Sequence, residues 1–233
     1  EPGVSVETRV TDSRFPHGQS RALNVLSCVG NEAKIVKGDA KGAKGVVVGK
    51  HGGIEHVMVD FQPDVMEQLV IEDKVMIRAY GQGLQLLDIP EVKMFNVSPK
   101  FLEALDPKIE GGKLQVPVTH KVPAAIMGSG LGRAHVASGD YDITMFCEDT
   151  CEEHGLNDLC LGDIVAIMDS DQSYGRIYRR GSVSIGIVTH SNSYIAGHGP
   201  GVTTLFTSTK GLIEPVIDSD SNVAKIMGLR DDL

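Results

Sequence analysis

Apolar residues fall in short runs along this chain, many alternating with polar positions, and Gly, Pro, Asn or Asp punctuate the gaps. That is the pattern of strands joined by tight turns. Ala22 to Val29 and Glu32 to Lys37 read as strands around Gly30-Asn31, a two-residue turn able to take positive φ. Gly45 to Lys50 and Glu55 to Phe61 form a second predicted hairpin around His51-Gly52-Gly53-Ile54, and Asp73 to Tyr80 adds a strand before Gly81-Gln82-Gly83. Strands resume at Lys113 to Val118, and the runs Asp163 to Met168 and Ser182 to Thr189 mass Ile and Val as buried strands do. Helix signals are few. Ser98 as N-cap and Pro99 as first helical residue open a short helix through Leu105. Glu152 to Leu159 reads as a short helix or turn, and Asn222 to Met227 as a short terminal helix.

This organisation predicts a mainly β fold in three parts. Residues 1–20, without periodicity, form an extended arm; residues 21–110 form a small β domain carrying the helix near 98–105; residues 111–233 form a larger C-terminal β domain. Gly111-Gly112 marks the boundary. Composition agrees: 27 glycines and 10 prolines among 233 residues, with 5% aromatics and no Trp, imply many turns between short strands. The net charge of −9 argues against broad binding to nucleic acid or anionic membranes, whose phosphates are held by Lys and Arg. No apolar run is long enough to span a bilayer as a helix. Four cysteines are too few for a disulfide scaffold of this size, so reduced thiols and a cytoplasmic location are expected. The arm has too few apolar residues for a core of its own, which predicts burial against a neighbour in a homo-oligomer.

The candidate chemistry concentrates between Leu159 and Ser208. His190 ends a predicted strand, and His198 lies in the turn Gly197-His198-Gly199-Pro200-Gly201, where glycines let backbone approach a ligand closely. Asp169 and Asp171 follow an apolar strand, and at strand spacing they point to one face. His190, His198 and Asp169 are therefore candidate ligands for a divalent metal ion, and His198, Asp169 and Asp171 candidate catalytic groups. The same residues also fit hydrogen-bonded turn histidines and a solvated Asp-Ser-Asp turn. The glycine-rich run with Gly128, Ser129, Gly130 and Arg133, together with Arg176 and Gly199, supplies candidate contacts to an anionic ligand. That run lacks the strand and helix a dinucleotide fingerprint requires. His135, Asp140 and Asp142 join the pocket if it folds beside Gly197 to Gly201. Cys147, Cys151, His154 and Cys160 form a string open to two readings, structural zinc or buried free thiols.

Two family resemblances bear on these readings. AKIVKGDAKGAKGVVVGKHGGIEHVMVDF is similar to the KOW-type SH3-like barrel, which implies a small barrel in the N-terminal part. SGDYDI, LGDIVAIMDSD, YGRIYRRGSVSIGIVTHS and AGHGPGVTTLFTS, with GDAKGAKGVVVGKHGGIEHV and GQGLQLLD before them, resemble the bacterial family catalogued as domain of unknown function 4438. That resemblance spans nearly the whole chain and carries no reaction. Two functions stay open. One is a metal-assisted enzyme acting on a small polar or anionic metabolite; the other is a non-catalytic small-molecule-binding or oligomeric assembly protein.

Overall fold

The computed structural model describes residues 3–8, 18–52, 56–131 and 135–229. In chain order the strands are β1 (Val4–Val6), β2 (Glu32–Lys37), β3 (Lys44–His51), β4 (His56–Asp60), β5 (Lys74–Ile77), β6 (Lys93–Met94), β7 (Lys108–Glu110), β8 (Lys113–Val118), β9 (His120–Pro123), β10 (Asp140–Asp142), β11 (Ile164–Asp171), β12 (Ile177–His190), β13 (Gly201–Ser208) and β14 (Ile213–Ile217). The helices are short: α1 (Gly18–Leu26), α2 (Pro63–Met66), α3 (Pro99–Leu105), α4 (Glu148–His154) and α5 (Val223–Ile226). The protein is mainly β.

The strands form three sheets. The first is antiparallel in the order β1-β4-β3-β2-β5, and its described residues do not close into a barrel. The second runs β10-β13-β12-β11-β9, with β6 also on β13, and the third runs β14-β8-β7. Gly111 and Gly112, both at positive φ, make the turn of the β7–β8 hairpin. The massed apolar run of β11 is explained by burial on both faces. Ile164 and Ala166 enter a core shared by all three sheets, α3 and α5, while Val165 and Ile167 enter a second core that includes Tyr141, Leu156 and Val202. Ser98 caps α3 by accepting from the Phe101 amide at 3.2 Å, and Asn222 caps α5 by accepting from the Ala224 amide at 2.9 Å.

The expected strand at Ala22 to Val29 is corrected: Gly18–Leu26 is helix. Its fully buried positions are polar, Ser20 and Asn24 in the helix and Ser27 just after it, and Leu23 is only partly buried against the first-sheet core, so no continuous apolar stripe announces the period. Side-chain hydrogen bonds hold that face instead. Ser20 exchanges bonds with the Thr8 backbone, Asn24 donates to the His56 carbonyl at 3.1 Å, and Ser27 Oγ donates to the Leu23 carbonyl at 2.7 Å.

The first sheet lies on the second through β3. The Lys50 amide donates to Thr203 Oγ1 at 3.0 Å, and the Lys50 carbonyl accepts from the hydroxyls of Thr203 and Thr189 at 3.0 and 3.3 Å. Gly49 permits this approach, because a Cβ there would overlap the Thr189 methyl. Gly49→Ala should therefore lower stability by about 1–3 kcal/mol, the usual cost of overfilling a packed site. A reduced urea midpoint is the expected result; an unchanged midpoint would show that β3 and β12 can separate without loss.

Candidate functional site

The register of the second sheet builds the site. Gly201 at the start of β13 pairs with His190 on β12 and with Asp142 on β10. Paired residues share a face, so the side chains of His190 and Asp142 reach toward each other over a residue that has none. His190 Nε2 and Asp142 Oδ1 lie 3.6 Å apart. Asp140, two residues from Asp142 and hence on the same face, brings Oδ2 to 2.7 Å from His190 Nε2. A Cβ on Gly201 would collide with both Asp140 Oδ2 and His190 Nε2.

His51 arrives from the other sheet. It ends β3, and its ring stacks on His190 with centroids 4.4 Å apart and planes 27° apart. His51, Asp140 and His190 each offer one ligand atom, and all three atoms lie within 4.8 Å of one another. Asp140 is otherwise oriented by the Gly52 amide, which donates to Oδ1 at 2.6 Å. Its buried Oδ2 has no well-aligned hydrogen bond despite the short distance to His190.

Behind His51, Lys50 is fully buried, with Nζ donating to Asn96 Oδ1 at 2.6 Å and to the Ala137 carbonyl at 2.8 Å. Asn96 Nδ2 in turn donates to the Val136 and Thr204 carbonyls at 3.2 and 2.8 Å. This network joins β3, the segment before α3, the 3₁₀ turn that leads into β10, and β13. It thereby fixes His51 relative to Asp140. Burial pushes the Lys50 ammonium down to about 7, outweighing the smaller effect of Cys28.

Several residues expected from the sequence come together here. His198 Nδ1 lies 3.2 Å from Asp142 Oδ2, which also accepts from the Gly199 amide at 3.3 Å. The glycine-rich run folds beside this turn: the Gly128 amide donates to the Asp142 carbonyl at 2.8 Å, and the Ser129 amide to the Gly197 carbonyl at 2.5 Å. Gly130, at positive φ, packs against Tyr141. Arg133 lies outside the described residues.

Other expected residues are placed elsewhere. Asp169 and Asp171 sit at the far end of β11, where it pairs with the start of β12 and not with the end bearing His190. Asp169 takes positive φ at a bulge, and its Oδ1 accepts from the Gly181 amide at 2.6 Å. The length of the β11–β12 ladder therefore separates Asp169 from His190. Asp171 accepts from the Ser173 amide at 2.9 Å and lies 3.6 Å from Arg179. Arg176 is buried, with its guanidinium 5.1 Å from the Tyr141 ring centre. Cys147, Cys151 and Cys160 are free thiols, of which only Cys151 is buried. The sequence pattern alone does not single out His51 as a ligand. Its signal was a histidine followed by two glycines at a strand end, much as His198 is flanked by glycines just beyond β12.

Fold and site together define a β-sheet protein with a His/Asp centre where two sheets meet. Family models for the N-terminal and C-terminal parts of the domain of unknown function DUF4438 match residues 1–103 and 104–227, and the chain belongs to that family. It is similar to a protein solved as the crystal structure of TM1086, at 47% identity and a TM-score of 0.88, over 96% of this chain and 76% of that one. No curated protein matches it.

The charge state of His190 yields a test. Burial opposes its protonation, but the Asp140 and Asp142 carboxylates outweigh burial and push it from 6.5 up to about 10. A raised folded value means that this stabilisation is complete below pH 6.5 and is lost as the pH climbs toward 10. In metal-free protein, the stability difference between the parent and His190→Ala should therefore shrink across that range in denaturant titrations. A difference independent of pH would contradict the ion pair.

Proposed function

We propose that this protein is a metal-dependent enzyme acting on a small polar or anionic metabolite, with His51, Asp140 and His190 holding one divalent ion. The observation that carries the reading is the convergence of those three donors, Asp140 and His190 meeting over Gly201. Two imidazoles and one carboxylate suit zinc, manganese or iron, and three protein ligands leave positions for water and substrate. A bound cation would polarise a substrate oxygen or lower the pKa of a bound water. It would also give Asp140 Oδ2 the partner that His190 supplies poorly.

Within this reading, the first sheet acts as a small SH3-like unit whose role is to deliver His51. Homo-oligomer formation stays part of the proposal, and an assembly role is favoured by one further observation. The loop between β12 and β13 exposes Tyr194 and Ile195 beside the site, as a contact surface would.

Metal-stripped protein titrated with Zn²⁺ or Mn²⁺ in a calorimeter should bind one equivalent. Affinity should fall at least about tenfold, or about 1.4 kcal/mol, in His190→Ala and Gly201→Val, and stay unchanged in Asp169→Ala. Equal affinity in the parent and His190→Ala would refute the assignment. Metal-dependent turnover of small carboxylates or phosphate esters would then separate an enzyme from a binding protein.

A further inference from the structure

Two surfaces at opposite ends of β11 carry opposite charge. The first is the start of β12. Ile177 to Gly181 are all exposed, and because alternate side chains of a strand point to opposite faces, neither face of this stretch is covered. On one side it pairs with β11, Tyr178 with Ser170 and Ile177 with Asp171, while β13 pairs with β12 only from Val183 onward. Ile177 and Tyr178 are 51% and 57% exposed, and Arg179 and Arg180 follow them. Arg179 approaches Asp171 at 3.6 Å, yet its side chain stays 55% exposed.

The second surface is α4, which buries Cys151 and exposes Glu148, Asp149, Glu152 and Glu153. Glu148 and Glu152, like Asp149 and Glu153, are four residues apart, so like charges stack on the solvent side of the helix. Glu152 and Glu153 also lie in the last turn, at the negative end of the helix. Both features work against the helix in isolation, and cations from outside would relieve both. Phe146, exposed just before the helix, adds an apolar edge.

The two surfaces share one side of the second sheet. Cys151 of α4 and Tyr141 belong to the same core, and Arg176, next to Ile177, lies over the Tyr141 ring. Along that side they are separated: α4 leads through residues 155–163 into the start of β11, whereas Arg179 and Arg180 stand at its far end, where the strand bulges at Asp169. Opposite charges at two ends of one side are self-complementary under a twofold axis, because a copy turned end for end sets each patch against its opposite. The net charge of −9 disfavours contact between copies in general, so they meet where local charges differ in sign.

We propose that this protein forms a twofold dimer in which Arg179 and Arg180 of each copy meet the α4 carboxylates of the other, with Ile177 and Tyr178 against Phe146. Exposed ion pairs contribute little singly; here symmetry doubles them, and the exposed aromatic and aliphatic side chains add apolar area. The dimer names a partner and a contact for the homo-oligomer proposed above, and it is independent of the metal ion.

Sedimentation equilibrium at micromolar concentration tests this. The parent should be a dimer in dilute buffer, weakening as salt screens the pairs. The charge reversals Arg179→Glu with Arg180→Glu, and Glu152→Lys with Glu153→Lys, should each raise the dimer Kd at least about tenfold. An equimolar mixture of the two variants should regain the parent Kd, since opposite charges then face each other at both contacts. Circular dichroism matching the parent checks that each variant folds; where a reversal does not fold, Arg180→Ala and Glu153→Gln replace it, each expected to weaken the dimer. A monomeric parent overturns the dimer and the homo-oligomer together. A dimer that neither reversal weakens, or that mixing does not restore, overturns these surfaces and leaves the homo-oligomer to another contact. Zn²⁺ titrations should be the same in both variants as in the parent, so the metal reading stands or falls separately.

Discussion

The site depends on one missing side chain. Gly201 is paired on both sides, with His190 on one neighbouring strand and Asp142 on the other. Sheet geometry would normally place a side chain between them and keep their polar ends apart. Glycine removes it, and Asp140, Asp142 and His190 meet over the bare backbone. The cost is local: glycine in a strand loses packing and adds chain entropy. The neighbouring strands offset this, since β13 is buried along its whole length between β10 and β12.

The second requirement is a fixed distance between two sheets. His51 belongs to the first and Asp140 and His190 to the second, so the centre exists only while β3 stays seated. Two arrangements hold it there. The hydroxyls of Thr189 and Thr203 pair with the Lys50 backbone, and the buried Lys50 amine ties Asn96 and the Ala137 carbonyl together. A buried ammonium costs free energy that an apolar residue would not, and its lowered pKa reflects that cost. What it supplies is direction: a long side chain bonded to two chain segments, at Asn96 and Ala137, that no apolar residue could orient.

Much of the fold was legible because it rests on local signals. The massed Ile and Val of β11 and β12 marked strands, Ser98-Pro99 marked the start of α3, and Asn222 opened α5. Helix α1 was not legible, since its fully buried positions are Ser and Asn held by hydrogen bonds and Leu23 is only partly buried, and periodicity in hydrophobicity registers such a face weakly. For the site, the sequence pointed to His190, His198 and the glycine-rich run, all residues at strand ends or in glycine turns. It paired them with Asp169 because that residue follows an apolar strand, but the bulge at Asp169 turns the carboxylate to Gly181. Asp140 and Asp142 lie in a three-residue strand whose partner is sixty residues away in sequence, and His51 comes from a different sheet. Long-range pairing of that kind leaves no trace in local spacing.

The most direct test of the metal centre is anomalous diffraction from crystals of the protein grown with Zn²⁺ or Mn²⁺. The account predicts one strong peak beside Gly201, about 2.0–2.2 Å from a ring nitrogen of His51, a ring nitrogen of His190 and a carboxylate oxygen of Asp140. Crystals with no peak there, or with the ion held by Asp169 and Asp171 instead, would contradict it.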